Sequence, residues 1–231
     1  MSNTLYTASR RALDFYAQRL IPMDVVLSAK LPTGPKLFVA NHPTTSDPVM
    51  LTLLTEERIH TLITEFCFDM PVLGPALRKG GHVPVVAGRG REAFDSAHEL
   101  LDGGHNVAIF PEGALSPAKG GVYPLRNGAA RLALSTGAAV IPVGIALDPD
   151  RIHRVDISRL YTDGPYAMTV GAPLHFGGEM SDRSRVLSVS GAIRHEIIRL
   201  AYLSGQRLGM TQRALVQPSL GWAQAIGLVT A

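Results

Sequence analysis

Short runs rich in valine, isoleucine and leucine alternate with stretches of helical periodicity, which predicts an α/β fold: a largely parallel central sheet flanked by helices. Composition agrees. Of 231 residues, 46% are hydrophobic and 18% charged, enough apolar material for a sizeable core and too few charges for a disordered chain or a coiled coil. The most apolar run, 138–147, contains Pro142 and Gly144 and falls well short of the ~18 residues of a membrane span.

Taken in order, residues 4–21 read as an amphipathic helix, with Leu5, Ala12, Leu13, Tyr16 and Leu20 on one stripe, Arg11 and Asp14 opposite, and Ile21-Pro22 ending it. Strands follow near 25–29, 36–40, 59–64, 82–86, 106–110 and 140–146. Helices fall between them near 48–55, 72–79, 92–101 and 128–135. A last strand is expected at 167–171. A long helix over 181–205 repeats Val186, Val189, Ile193, Ile197 and Leu200 at three- and four-residue spacing, with Gly205 or Gly209 as its cap. No repeat or linker divides the chain. We expect one domain over 1–231: an amphipathic segment 1–21, a core 36–147 and a C-terminal helical region 181–231.

Net charge is +3. With aromatics at 6%, nothing suggests a nucleic-acid partner, which would show clustered Lys and Arg beside stacking rings. The positive charge gathers in 181–207, where Arg183, Arg185, Arg194, Arg199 and Arg207 face Asp182 and Glu196, and 211–231 carries no acid. Such segments attract anionic surfaces, which supports a non-enzymatic alternative, a catalytically inactive peripheral lipid-binding protein. The single cysteine, Cys67, excludes an intramolecular disulfide and reads as a small buried hydrophobe. Charges interrupt 1–21 too often for a signal peptide, which makes a cytoplasmic protein the expectation.

Two strand ends carry the chemistry. Directly after strand 36–40 come Asn41, His42, Pro43, Thr44, Thr45, Ser46 and Asp47. Ligand sites of open α/β sheets gather beyond the carboxyl ends of strands. Pro43 presents His42 from extended backbone, and Asp47 can return to it across the loop. Asp47 followed by Pro48 also reads as a helix N-cap, and the two readings are compatible. At the end of strand 106–110, Phe110, Pro111, Glu112 and Gly113 fix a second carboxylate between a proline and a glycine.

The ordered pair, Asn-His-x-x-x-x-Asp at 41–47 and Phe-Pro-Glu-Gly at 110–113, resembles the glycerolipid acyltransferases that acylate lysophosphatidic acid. Glu65, Pro71, Gly74, Gly128 and Val140-Ile141-Pro142-Val143 are smaller matches, and the likeness covers 36–147, roughly half the chain. It implies transfer of a fatty acyl group from a thioester, acyl-coenzyme A or acyl carrier protein, to a hydroxyl of a lysolipid-like acceptor. No cofactor or metal takes part, and the protein works at the inner face of a membrane. By the same likeness His42 is the general base, Asp47 orients it, and Glu112 with Gly113 binds the acceptor's hydroxyls. The family's arginine after this Glu-Gly is missing, since Ala114, Leu115 and Ser116 follow, and Ala87 stands where another family arginine is expected. The acceptor therefore lacks a phosphate, or Arg89, Arg91 and Arg126 supply the charge.

One rival uses overlapping residues. Gly88, Arg89, Gly90, Arg91, Glu92 and Ala93 fit G-x-G-x-x-A, with Glu112 about 20 residues on as the acid of an NAD(P)-binding Rossmann protein. Arginines at the variable positions and Pro84 in the preceding strand oppose it, and it leaves His42 and Asp47 without a role.

Overall fold

The computed structural model describes residues 23–117, 121–147 and 165–210, together with Arg11 and Phe15. The helix expected over 4–21 (those two residues apart) and the acid-free segment 211–231 lie outside the described residues. The elements in chain order are β1 (Met23–Leu27), β2 (Lys36–Ala40), α1 (Asp47–Leu51) continued by a 3-10 turn (Thr52–Leu54), β3 (Ile59–Thr64), α2 (Glu65–Phe68), α3 (Leu73–Gly80) and β4 (Val83–Val85). After these come α4 (Gly90–Asp102), β5 (Asn106–Ile109), α5 (Gly128–Thr136), β6 (Ala139–Leu147), β7 (Tyr166–Val170) and α6 (Arg183–Arg207). Within the described residues the expected elements are present, the strands 36–40 and 59–64 with the expected bounds and the others with ends moved by up to four residues.

One seven-stranded sheet joins them in the order β1-β7-β6-β2-β5-β3-β4. The five strands from β6 to β4 are mutually parallel. Every residue of β2 and β6 is buried, as expected of strands covered on both faces. Along β2 the side chains alternate. Phe38 and Ala40 join Met50, Leu51, Ile59, Ile141 and Met168 on one face, whereas Leu37 and Val39 join Ala97, Leu101, Leu132, Val189 and Ile193, from α4, α5 and α6, on the other. The short edge strand β4 tolerates Pro84, which is exposed.

At the opposite edge the direction reverses. β7 pairs with β6 antiparallel and with β1 parallel. The first residues of β1 and β7 therefore lie at the carboxyl end of the five-strand block. α6 holds this edge: its N-cap Asp182 accepts from Ser184 N and Arg185 N, and Ser204 donates to the Gly144 carbonyl at 2.8 Å. A Cβ on Gly144 would stand 2.0 Å from Ala201 N, so the glycine that interrupts the apolar run is what lets helix and strand touch. The helix ends by Gly209, in the left-handed region at φ +72°, and Gly205 lies within it. β2 and β5 are neighbours whose continuations leave in opposite directions, toward β3 and back to β6, and a crevice opens at such a switch point.

Candidate active site

Asn41, immediately beyond β2, closes the loop that carries the histidine. Its side-chain amide donates to Ile145 O at 2.8 Å and its Oδ1 accepts from Ile145 N at 2.7 Å, extending the ladder to β6 by one residue's worth of bonds. His42 then leaves the sheet with its ring stacked on Phe110, centroids 4.2 Å apart. Its Nδ1 lies 2.9 Å from Asp47 Oδ2.

Asp47 does not serve as the helix cap that its Asp-Pro sequence suggests. Ser46 occupies the cap position and Asp47 is the first residue of α1. Its carboxylate turns inward and is fully buried. Oδ2 also accepts from Thr44 N at 2.9 Å, and Oδ1 accepts from the Tyr166 hydroxyl at 2.9 Å. Burial raises the Asp47 pKa above the ordinary carboxylate value, against the opposing bonds from His42, Thr44 and Tyr166. With the carboxylate ionised, Nδ1 carries the hydrogen, which leaves the lone pair on Nε2. Nε2 has no protein partner among the described residues, and the imidazole is 19% exposed. The arrangement is an oriented base facing solvent.

Glu112 lies beside the histidine at the end of β5, but it holds protein rather than space. It is 6% exposed. Oε1 accepts from His42 N at 3.0 Å and from the Ser116 hydroxyl, while Oε2 accepts from Tyr123 N at 2.6 Å. Ser116 Oγ lies 2.8 Å from His42 N, and its own amide donates to His42 O at 2.7 Å. Burial raises the Glu112 pKa, opposed by its bonds from Ser116, Tyr123 and His42. Where the sequence suggests a grip on the acceptor's hydroxyls, the geometry has Glu112 fixing the backbone of His42. The same bonds leave no free carboxylate for the ribose of a dinucleotide, and the 88–93 loop follows the edge strand β4, away from β2 and β5.

Gly113 is exposed, at φ +70°, and a Cβ there would stand 2.4 Å from Arg126 Nε. The guanidinium thus lies against the Phe-Pro-Glu-Gly turn, where Arg126 N also donates to Pro111 O at 2.7 Å. Its side chain is exposed and has no carboxylate partner among the described residues. Arg89 and Arg91 are placed differently. Each is bound to a neighbour on α4, Arg89 to Glu92 at 2.7 Å and Arg91 to Asp95 at 2.8 Å. The structure brings His42, Asp47, Glu112, Gly113 and Arg126 together, and leaves Arg89 and Arg91 on the surface of α4.

Three contributors were not singled out from the sequence. Ser116 figured there only as a departure from a motif. Tyr166 began a strand expected one residue later. Arg194 of α6 donates to Val122 O at 2.7 Å and to Tyr123 O at 3.3 Å, bracing the peptide whose amide holds Glu112. Periodic hydrophobicity and a run of arginines, Arg194 among them, mark that helix in the sequence, and neither says what its polar face reaches. Among the described residues no three His, Cys, Asp or Glu side chains are grouped as metal ligands would be, and no helix is long and apolar enough to cross a membrane.

Comparison with known proteins bears on the same residues. Residues 23–146 match the family model Acyltransferase. An uncharacterized protein of Mycobacterium leprae is 33% identical over 59% of this chain and 39% of its own length. A chloroplastic 1-acyl-sn-glycerol-3-phosphate acyltransferase of Brassica napus is 33% identical over 47% of this chain and 32% of its own. A lyso-ornithine lipid O-acyltransferase of Pseudomonas aeruginosa is 30% identical over 57% and 51%. These matches span about a third to a half of the relatives' lengths. The crystal structure of the 1-acyl-sn-glycerophosphate (LPA) acyltransferase from Thermotoga maritima superposes with a TM-score of 0.64, at 20% identity over 85% of this chain and 80% of that one. It shares the fold.

Proposed function

The chain belongs to the acyltransferase family, and from that premise we propose that it moves a fatty acyl group from a thioester, acyl-coenzyme A or acyl carrier protein, to a hydroxyl of a lysolipid-like acceptor. The observation that carries this reading is the His42–Asp47 pair, with Nδ1 held at 2.9 Å and Nε2 open. His42 Nε2 takes the proton from the acceptor's hydroxyl as the oxygen attacks the thioester carbonyl. The tetrahedral intermediate collapses, the ester forms, and the departing thiolate takes the proton back from Nε2. Asp47 holds the reactive tautomer and stabilises the imidazolium between the two transfers. The nucleophile is the substrate's own hydroxyl, so the mechanism needs no acyl-enzyme.

Glu112 acts through His42, whose amide it fixes, and an anionic group of acceptor or donor rests on Arg126 beside Gly113. Arg89 and Arg91 are a second place for such a group, since exposed ion pairs of their kind are weak and exchange readily. An acyl chain and a lysolipid both reside in a bilayer, which places the protein at a membrane surface, on its cytoplasmic face. Truncation of residues 1–21 is then expected to weaken co-sedimentation with anionic vesicles.

The test is thiol release from acyl thioesters with lysophosphatidic acid, a phosphate-free lysolipid and no acceptor. Transfer should require the acceptor, and His42→Ala should lower kcat by about 10²–10⁴-fold with folding intact. A folded His42→Ala protein with parental turnover overturns the mechanism, and a parent that binds the lysolipid but releases no thiol with any acceptor favours a lipid-binding protein without chemistry. Arg126→Ala should raise the KM of a phosphate-bearing acceptor roughly tenfold, as loss of one charged hydrogen bond does. If Arg89→Ala and Arg91→Ala raise it and Arg126→Ala does not, the anion sits on α4.

A further inference from the structure

The carboxylate at the centre of the site is held from outside the block that carries the motifs. Tyr166 opens β7, and its hydroxyl reaches Asp47 Oδ1 at 2.9 Å across 119 positions of sequence. Both side chains are fully buried, so neither group has water as an alternative partner. The contact depends on the reversed edge of the sheet: β7 runs antiparallel to β6 with Tyr166 opposite Leu147, which brings the first residue of this strand to the carboxyl ends of the parallel ones.

We infer that Tyr166 is a positioning residue for acyl transfer: by holding Oδ1, it fixes the Asp47 carboxylate with Oδ2 turned toward His42 Nδ1. This rests on the acyl-transfer reading above. One soft torsion sets both carboxylate oxygens, so the Tyr166 bond on Oδ1 narrows the same rotation that His42 Nδ1 and Thr44 N limit through Oδ2. Tyr166 is the donor that acts on this torsion from the far side of the carboxylate. It has a second consequence for the working protonation state. The pair acts with His42 neutral and Asp47 anionic, and a hydroxyl donor stabilises that form more than the form with one proton added. Among the described residues the titratable groups around the pair are Tyr166 on Asp47 and Glu112 on the His42 amide. The phenol stays protonated, because burial and the neighbouring Asp47 raise its pKa well above the usual value.

The experiment compares Tyr166→Phe with the parent, His42→Ala and Asp47→Asn in acceptor-dependent thiol release across pH. Loss of a hydrogen bond to a charged group should lower kcat roughly tenfold to a hundredfold, with KM within about twofold if the acceptor is bound elsewhere. The acid limb of kcat should move to higher pH. Because Tyr166 acts through Asp47, the double variant Asp47→Asn/Tyr166→Phe should be no slower than Asp47→Asn alone. A parental rate and pH profile in Tyr166→Phe, or losses that multiply in the double variant, overturn the inference while His42→Ala still shows the base at work. If His42→Ala is as active as the parent, the base has been misassigned and this inference falls with it; if the parent shows no acceptor-dependent thiol release, the acyl-transfer reading itself has failed. Should Tyr166→Phe not fold, 3-fluorotyrosine at position 166 answers instead. Its more acidic phenol donates more strongly, and the acid limb should move to lower pH; an unmoved limb counts against the inference.

Discussion

The two ends of the parallel strands both bury polar and titratable side chains, yet the described bonds put them to different uses. At the amino end, Lys36 Nζ donates to Gly34 O at 2.7 Å and Pro32 O at 3.2 Å and pairs with Glu57 at 2.6 Å. Asn106 ties Lys36 N to Glu57 and the Arg58 carbonyl. His60 Nδ1 bonds the Gly81 carbonyl at 2.7 Å, and His82 Nδ1 accepts from Thr61 N at 3.1 Å. Burial lowers the pKa of both histidines, that of His82 to about 4, and the Lys36 ammonium lowers that of Glu57. These bonds hold strands and loops in place. At the carboxyl end, burial raises the pKa of two carboxylates instead, and their bonds converge on one histidine, Asp47 on its ring and Glu112 on its backbone amide, whose outer ring nitrogen has no protein partner among the described residues. Burial of charge does not distinguish a site from a scaffold; an imidazole oriented by a buried carboxylate does.

Substitutions should separate the two ends, activity responding at one and stability at the other. The largest effect is expected from Asp47→Asn. The amide can still accept from His42 and Thr44, and it can donate to the Tyr166 oxygen in place of accepting from it. Folding stability should be retained, or raised by removal of a buried charge, while kcat falls by about 10²-fold or more as the base loses its counter-charge. Paired thermal melts and turnover measurements check this. A lower melting temperature with normal kcat would make Asp47 part of the scaffold, like the amino-end groups.

Glu112→Gln should affect both properties. Three donors converge on the carboxylate, and a glutamine offers one oxygen and turns an NH2 toward a donor. Stability should drop by about 1–3 kcal/mol in denaturant titration, with kcat falling roughly tenfold as the His42 loop loosens. A change in acceptor KM with unaltered stability would instead restore Glu112 to acceptor binding.

The amino end should show itself in the pH dependence of stability. His82 titrates near 6.5 when unfolded and at about 4 in the fold, so between these values the unfolded chain binds more protons. Stability falls as pH drops through that window, by roughly 1–2 kcal/mol allowing for partial exposure. Asp47 and Glu112, with pKa values raised by the fold, contribute in the opposite sense as pH falls through their own range. His82→Asn keeps an acceptor for Thr61 N without a titrating group. It should flatten the acid slope of the melting temperature and leave kcat unchanged; an unaltered slope would assign the acid sensitivity elsewhere.

The smallest expected effect is at Thr61, whose buried hydroxyl has no hydrogen-bond partner among the described residues. Thr61→Val removes an unsatisfied polar atom at nearly constant shape. It should stabilise by up to about 1 kcal/mol with no kinetic consequence. A loss of stability would indicate a partner for that hydroxyl, and so one more committed group at the amino end.

Much of this was legible along the chain because its causes are local. The unbroken apolar run Leu37–Ala40 implies a strand covered on both faces, and the three- and four-residue repeat of α6 states which face must be buried, whatever it is buried against. His42 and Asp47 stand five residues apart on one loop, and Pro43 restricts how that loop starts, so their meeting needs little more than a turn. Pro111, Glu112 and Gly113 announce a fixed carboxylate in the same way. What the carboxylate holds is another matter. Glu112 is engaged by the amides of His42, 70 positions earlier, and Tyr123, so whether it faces substrate or protein depends on β2 and β5 being neighbours. Arg126 and Arg91 are both exposed arginines in the sequence. The fold sets one against Gly113 and the other beside Asp95. Tyr166 is the clearest case. As a tyrosine opening an apolar strand it looks like core, and it bonds Asp47 only because β7 runs backwards along β6. Strand direction and order depend on how helices and strands pack across the whole sheet, and no window of sequence contains that information. The sequence therefore determined the elements and the pairing of His42 with Asp47, and the tertiary structure decided which distant groups hold that pair in place.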